Sequence, residues 1–455
     1  MRIAMCARLV GLALFSIVAV MTCAARADEV QEACDQGRQA LNKEDIDLAV
    51  SCFTEATRLA PKDPRGYAGR GKVYSQKGNF DKAIADFTDV IRLAPKDADA
   101  YLQRGLMYIK KKEYDNAIAD FTDVIRLDAK NAKAYYNRGW TYMERGHAYG
   151  CKDDYDKAIA DCTDAIRLDP KDAEAYQFRG MSYSQKGEHN KAIADLTESI
   201  RLGSKEACLT RAMYYSHNGN FDKAIADYTE AIRRDPKCAA AYSGRGGSYM
   251  GKGEHDKAIA DSTEAIRLDS KCAAAYHVRG LSYFSKGDFD KAIADYTEAI
   301  PLDPTNVDAY QFRGLSYLQK GEHDKAIADL TAAIRLNPKG ASGYMARGII
   351  YTKRGEYYSM KGDFKKGDFD KAIADYTEAI RLAPKDAVVY FHRGQAYACK
   401  ADLDKAIADL TEAIRLDSTN AAAYKFRAAV YEQMNETAKA EEDHKRAKEL
   451  GYKSE

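Results

Sequence analysis

Apolar and polar positions repeat with a period of about 34 residues from Tyr67 almost to the C-terminus. Each period opens on Tyr-x-x-Arg-Gly-x-x-Tyr, so that Tyr101, Gly105 and Tyr108 fall at i, i+4 and i+7 on one face of a helix, helix A. A Lys-Gly turn and the phrase Ala-Ile-Ala-Asp follow, and there Ala117, Phe121 and Val124 line the inner face of a second helix, helix B. Small residues such as Gly105 and Ala117 let the two helices approach, and the aromatic rings fill what remains. Neither helix can hide its apolar stripe alone, so neighbouring periods must stack and share one core. Seven of the nine prolines (Pro61, Pro95, Pro170, Pro236, Pro304, Pro338 and Pro384) sit at one position of the period, where they stop helix B.

Aligned on the glycine after Arg, the copies fall at Gly71, Gly105, Gly139, Gly180, Gly246, Gly280, Gly314, Gly348 and Gly394, with Ala212 and Ala428 in the same slot. Gly37 marks an earlier, degenerate copy at 30–63, and 421–454 forms the closing repeat, for twelve repeats in all. The phrase resembles the tetratricopeptide repeat, whose aromatic, Gly, Tyr, Ala, aromatic, Ala, Pro pattern is met by Tyr67, Gly71, Tyr74, Ala83, Phe87, Val90 and Pro95. That resemblance covers essentially all of 28–455. It implies an all-α solenoid, a right-handed superhelix of antiparallel helix pairs whose helices A line a concave groove that holds protein or peptide ligands.

One departure from the family pattern recurs. Arg replaces the usual Leu before the glycine in eleven repeats, from Arg70 through Arg245 to Arg427, and each of these repeats carries Asp on helix B, such as Asp86, Asp120, Asp161, Asp195, Asp261 and Asp443. The degenerate first repeat lacks both, with Gln36 and Cys52 in those slots. Joint presence and joint absence point to a structural ion pair, because a buried charge without its partner is costly. The rival reading is a ladder of arginines for acidic ligands.

Two repeats are enlarged, 132–172 and 341–386. In each, Arg-Gly recurs seven residues on, at Arg145-Gly146 and at Arg354-Gly355. Seven residues are nearly two helical turns, so the insertion keeps the apolar face aligned and lengthens helix A by about 10 Å. The second adds Lys361-Gly-Asp-Phe-Lys before its echo at Lys366. Tolerated slippage and ridges that shape partner contact are both consistent with these insertions. His189, His255 and His323 share one helix B slot in alternate repeats, too far apart for one metal ion, and read as solvated substitutes for Phe80, Phe221 and Phe289.

The first 27 residues differ in kind. Arg2 and Arg8 precede the apolar run Leu9 to Val20, and Ala25-Arg26-Ala27 supplies small residues for cleavage, so 1–27 reads as a cleavable secretory signal with Asp28 as the mature start. No second apolar run would insert the mature chain into a membrane. The expected location is the periplasm or exterior of a bacterium, on the resemblance of the signal and of such regular repeats. Export places the cysteines where disulfides persist. Cys34 and Cys52 fall at similar height on the two helices of the degenerate repeat and form a possible disulfide stapling that end, unless Cys34 faces the groove. Cys238 and Cys272, a full period apart, read as small buried fillers.

Lys plus Arg (70) almost balances Asp plus Glu (69), which leaves no global field for nucleic acid. No zinc-protease HExxH, paired CxxC, phosphate loop or nucleophile elbow occurs, and the carboxylates recur at fixed slots rather than in one singular cluster. The expectation is therefore a protein that is not an enzyme, with no catalytic residue, metal or cofactor. What the period leaves unexplained is on helix A. By family geometry the groove wall carries Gln103, Leu106, Tyr136, Asn137, Trp140, Gln177, Phe178 and Met181, and further on His277, Leu281, Phe284, Gln311, Phe312, Leu315, Phe391 and His392. Amides beside large apolar groups suit an extended or helical peptide, unless these side chains pack between repeats instead. The expected function is a scaffold or adaptor for proteins. A carbohydrate or envelope-polymer binder, and an accessory subunit of an envelope enzyme complex, are the alternatives. The sequence is silent on oligomeric state.

Overall fold

The computed structural model describes residues 26–361 and 366–452. Most of the 1–27 segment, read from the sequence as a secretory signal, therefore lies outside the described residues. The chain divides into two compact units, one ending at Tyr214 and the other beginning at Tyr215. Both are helical, and no strand occurs among the described residues. In the first unit a helix at 26–42 precedes Ile46–Leu59, and the pairs Pro64–Gln76 with Phe80–Leu93, Ala98–Lys110 with Tyr114–Leu127, Ala132–Tyr149 with Lys152–Leu168 and Ala173–Gln185 with His189–Arg201 follow. The helix Glu206–His217 carries the boundary. The second unit continues with Phe221–Arg234 and then the pairs Ala239–Gly251 with His255–Leu268, Ala273–Ser285 with Phe289–Leu302 and Val307–Gln319 with His323–Leu336. Ala341–Met360 with Lys366–Leu382, Ala387–Cys399 with Leu403–Leu416 and Ala421–Gln433 with Thr437–Glu449 complete it.

Local chemistry sets the boundaries of each pair. At the start of helix A an Asp or Asn accepts from the backbone N–H three residues on, as Asp97 does from Ala100 at 3.2 Å and Asn131 from Ala134 at 3.0 Å, which satisfies a donor the helix leaves unpaired. The turn from A to B needs one left-handed residue. Gly78, Gly187, Gly253, Gly287 and Gly321 supply it with φ between 72 and 78°, and Lys112, Ala401 and Asn435 adopt φ of 60 to 62° where glycine is absent.

The apolar stripes then close as their spacing predicts. Ala117, Phe121 and Val124 are fully buried, and Gly105 is needed because a Cβ there would lie 2.8 Å from the Phe121 ring. Truncating Phe121 to Ala would leave a cavity and cost about 3–5 kcal/mol. The slot of Phe121 is held by Phe87, Leu196, Tyr228, Tyr296, Leu330, Tyr376 and Leu410 in other repeats, all at 3% exposure or less.

The enlarged repeats differ from expectation in one respect. Helix A grows from the usual 13 residues to 18 at Ala132–Tyr149 and 20 at Ala341–Met360, and helix B also grows, from 14 to 17 at Lys152–Leu168 and at Lys366–Leu382. The inserted residues are thus shared between the two helices rather than taken up by helix A alone, because extending only one arm would leave its new apolar turn without a partner.

Candidate functional site

The most constrained chemistry of the chain is the recurring arginine. Arg245 donates from Nε to Asp261 Oδ2 at 2.7 Å and from Nη2 to Asp261 Oδ1 at 2.8 Å, a bidentate fork between helices A and B of one repeat. The same fork joins Arg70 to Asp86, Arg104 to Asp120, Arg138 to Asp161, Arg279 to Asp295 and Arg427 to Asp443. Pairing with Asp261 holds the Arg245 guanidinium above its usual range, so the cation persists although its side chain is only 17% exposed. The ion-pair reading holds for these arginines.

The third nitrogen reaches the preceding repeat. Arg245 Nη1 donates to Thr229 Oγ1 at 3.0 Å, and Thr229 Oγ1 donates in turn to the Ile225 carbonyl at 2.7 Å. Arg104 meets Thr88, Arg138 meets Thr122 and Arg393 meets Thr377, each at 3.0 Å. Each guanidinium also lies against a tyrosine ring three residues earlier, as Arg245 does over Tyr242 at 5.7 Å. One side chain therefore ties three helices together. The signal for this threonine is present in the sequence: Thr stands two residues after each of these Asp except Asp443, where Lys445 takes the slot.

A second ladder runs along the turns. Lys77 pairs with Asp47 at 2.6 Å, Lys111 with Asp81 at 2.8 Å and Lys252 with Asp222 at 2.6 Å, always to the preceding repeat. In the enlarged repeats an arginine takes this place. Arg145 forks onto Asp154 at 2.8 and 2.7 Å and also meets Asp115, while Arg354 forks onto Asp368 at 2.9 and 2.8 Å and also meets Asp324.

The helix A residues expected on the groove wall are engaged with one another and with neighbouring repeats. None is exposed: Asn137 is buried and the other fifteen are half-buried. Gln103 donates to Asp99 at 3.1 Å, and Asn137 to the Lys133 carbonyl at 2.8 Å. The Tyr136 hydroxyl donates to Glu174 at 2.6 Å, and its ring meets Phe178 at 5.6 Å. Trp140, Phe178 and Met181 pack on Met143 and Tyr155, and Leu106 on Phe121 and Phe87. Gln177 donates to Thr210 at 3.2 Å, and Gln311 to Ser342 at 3.3 Å. Phe312 stacks on Tyr296 at 6.2 Å and meets Phe284 edge-on at 5.5 Å, and Leu315 packs against Leu330 and Ile350. His392 stacks on Tyr376 at 6.1 Å, and Phe391 meets Phe426 at 5.5 Å. His277 meets Tyr296 at 5.8 Å, and Leu281 is half-buried on the same helix. Tyr136, Gln177, Gln311, Phe312, Phe391 and His392 thereby join consecutive repeats while leaving part of their surface to solvent, whereas Gln103 and Asn137 bond within their own helix.

Two readings of single residues change. Cys238 and Cys272 are half-exposed rather than buried, because they occupy the N-cap slot of helix A where other repeats place Asp or Asn. His255 and His323 are half-buried rather than solvated, each with Nδ1 shut off from water, and His323 lies 6.0 Å from the ring of Tyr357 in the next repeat. His189 is exposed and contacts the Tyr214 hydroxyl. Cys34 and Cys52 carry free thiols, Cys34 at 2% exposure in the core of the first repeat and Cys52 half-exposed. Among the described residues no group of His, Cys, Asp or Glu could hold a metal ion, and no helix is long and apolar enough to cross a membrane.

Comparison with known proteins agrees with this architecture. The family described as "Tetratricopeptide repeat" matches residues 34–98, 69–132 and 209–270, and a second family of the same description matches 141–172, 173–202 and 387–420. The family described as "TPR repeat" matches 280–321, 314–355 and 363–399. No curated protein matches the chain. Among solved structures, the APC/C hetero-tetramer Cut9–Hcn1 is 16% identical over 91% of this chain and 92% of that one, with a TM-score of 0.44. Yeast Tom70 is 18% identical over 90% of this chain and 97% of its own, with a TM-score of 0.38. MamA from Desulfovibrio magneticus RS-1 is 23% identical over 38% of this chain and 95% of its own, with a TM-score of 0.36. From the family matches along its length, the chain belongs to the tetratricopeptide-repeat family.

Proposed function

We propose that this chain is a non-catalytic scaffold, exported to a bacterial cell envelope, that holds protein or peptide ligands on the helix A wall of its repeats. The observation that carries the reading is how the charges are used. The recurring Arg, Asp and Thr are spent on one another, as in the Arg245, Asp261 and Thr229 set. That leaves no ladder of free arginines for an acidic ligand, and the chemistry that varies between repeats is neutral: Gln103 and Leu106, Gln177 and Met181, Gln311 and Leu315. Amides beside apolar groups match the alternation of a peptide backbone and its side chains. Sugar stacking is less favoured, because Phe312 and His392 already give a face to Tyr296 and Tyr376.

Crosslinking of immobilised residues 28–455 in envelope extract, followed by mass spectrometry, tests the scaffold reading. Specific partners should be captured, and Gln103→Glu with Gln311→Glu should release them at unchanged helicity; equal capture by the variant would contradict the wall as the docking surface. The export reading has its own test. The mass of the protein recovered from cells should correspond to a chain beginning at Asp28, and recovery with Met1 retained would contradict it.

A further inference from the structure

We propose that the seventh repeat, residues 239–272, is a built-in break point at which the second unit opens locally before its neighbours do. Three independent features of the repeat lead there. Its helix A, Ala239–Gly251, contains Gly244, Gly246, Gly247 and Gly251, whereas the following helices A, Ala273–Ser285 and Val307–Gln319, contain one glycine each. Glycine in a helix interior raises the entropy lost on folding and weakens the helix. The same helix starts at Cys238, which makes no side-chain cap, a lack it shares with Cys272 in the next repeat, while Asn306 and Asn420 cap theirs.

The core of the repeat is the second feature. Its buried apolar side chains are Ala241, Ala258 and Ala265 and nothing larger. Flanking repeats bury Tyr228, Tyr296 and Leu330 at the slot that Ser262 fills here. Stabilisation by burial scales with apolar area, so this hairpin holds together less strongly than those around it. Ser262 is also fully buried with no hydrogen-bond partner for its hydroxyl, a polar group removed from water without compensation.

The third feature is an asymmetry between its two interfaces. Toward the preceding repeat, Gly244 and Gly251 are sockets for rings, since a Cβ at these positions would lie 2.4 Å from Tyr228 and 2.6 Å from Phe221. Toward the following repeat the fit is looser at the glycine, since a Cβ at Gly247 would meet only Val278 at 3.9 Å, and Ser262 stands where other repeats carry a ring or Leu. In a linear array each repeat is held only by its own stability and its two interfaces, so a weak repeat inside the array divides it into separately cooperative stretches. Opening here lets the repeats from Ala273 onward part from those before Ala239 without melting either.

Hydrogen exchange of the full chain, read by mass spectrometry, tests this directly. Peptides within 239–268 should exchange at least about tenfold faster than those of 221–234 and 289–302. Gly247→Ala, where the added Cβ meets only Val278 at 3.9 Å, should slow exchange in this segment by about fivefold and leave the flanking repeats unchanged. Ser262→Leu, the residue found at 196, 330 and 410, should act in the same direction. Protection of 239–268 equal to or above that of its neighbours, or a Gly247→Ala effect spread evenly over the unit, would overturn the proposal.

Discussion

Arg245 reaches back from its own repeat to Thr229 of the preceding one, with Nη1 at 3.0 Å from Oγ1, while its other two nitrogens are locked onto Asp261. The guanidinium is thus at once the internal tie of one hairpin and the link to the last. Replacing it with Lys keeps the charge but gives up the planar fork, so Arg245→Lys should cost about 1–3 kcal/mol in urea unfolding. Thr229→Val, which removes the link together with the hydroxyl's bond to the Ile225 carbonyl of its own helix, should cost about 1 kcal/mol. A Thr229→Val chain as stable as the parent would show that the link contributes nothing.

The two ends of the array follow from the same geometry. Thr411 accepts from Arg427 at 3.0 Å, whereas Lys445, in the equivalent slot of the last described repeat, meets no arginine among the described residues. Thr411→Lys should therefore destabilise by about 1–3 kcal/mol, having placed a cation against a guanidinium, whereas Lys445→Thr should change stability by under about 0.5 kcal/mol. Thermal melts of the two variants side by side give the comparison, and a larger loss from Lys445→Thr would contradict the directional ladder.

Acid should weaken the second unit through its half-buried histidines. Burial holds His392 and His277 below their ordinary value, so the folded chain keeps them neutral while the unfolded chain takes up protons near pH 6.5. Stability is then complete above that pH and falls as the pH drops below it, since the unfolded state binds more protons. His392→Phe places at that slot the residue found at Phe178, Phe312 and Phe426, and it should reduce the pH slope between about 6.5 and 5 by about one proton. An unchanged slope would mean that His392 is protonated in the folded chain.

The thiols should separate cleanly by reactivity. Cys151 is exposed, whereas Cys162 is fully buried and its thiol is pushed up to about 12 by burial. Brief alkylation of the native chain should label Cys151 and leave Cys162 untouched until denaturant is added. Omitting reductant extends the same experiment to the first repeat. Cys34 and Cys52 should both be labelled once the chain is unfolded, and resistance to labelling at both positions would contradict the free thiols.

Much of this architecture could be read from residue spacing. The stripe Ala117, Phe121 and Val124 and the Arg-Asp slots repeat so regularly that the helix pairs and the buried ion pair followed from the pattern. The partner of the third guanidinium nitrogen did not, because Thr88 and Arg104 lie sixteen residues apart in different repeats and a threonine on an exposed-looking helix face carries little signal of its own. Cys238 misled for a related reason: periodicity fixes its position in the repeat but not that this position is a helix N-cap. The helix A wall was legible only in part. Phe312 and His392 stand at positions open to solvent on one side and to the next repeat on the other, and only packing shows that Tyr296 and Tyr376 claim one face of each.

Central to all of this is that the recurring residues hold the array together and so are not available to a ligand. A double-mutant cycle on Arg245 and Asp261, with unfolding free energies measured for Arg245→Ala, Asp261→Ala and the pair, tests it most directly. Each single change should cost about 3–5 kcal/mol, because it strands a buried charge, and the double change should cost much less than the sum, with a coupling of about 3 kcal/mol. Single costs under about 1 kcal/mol with no measurable coupling would mean that the pair behaves as a solvated surface contact and that the arginines are free to serve another purpose.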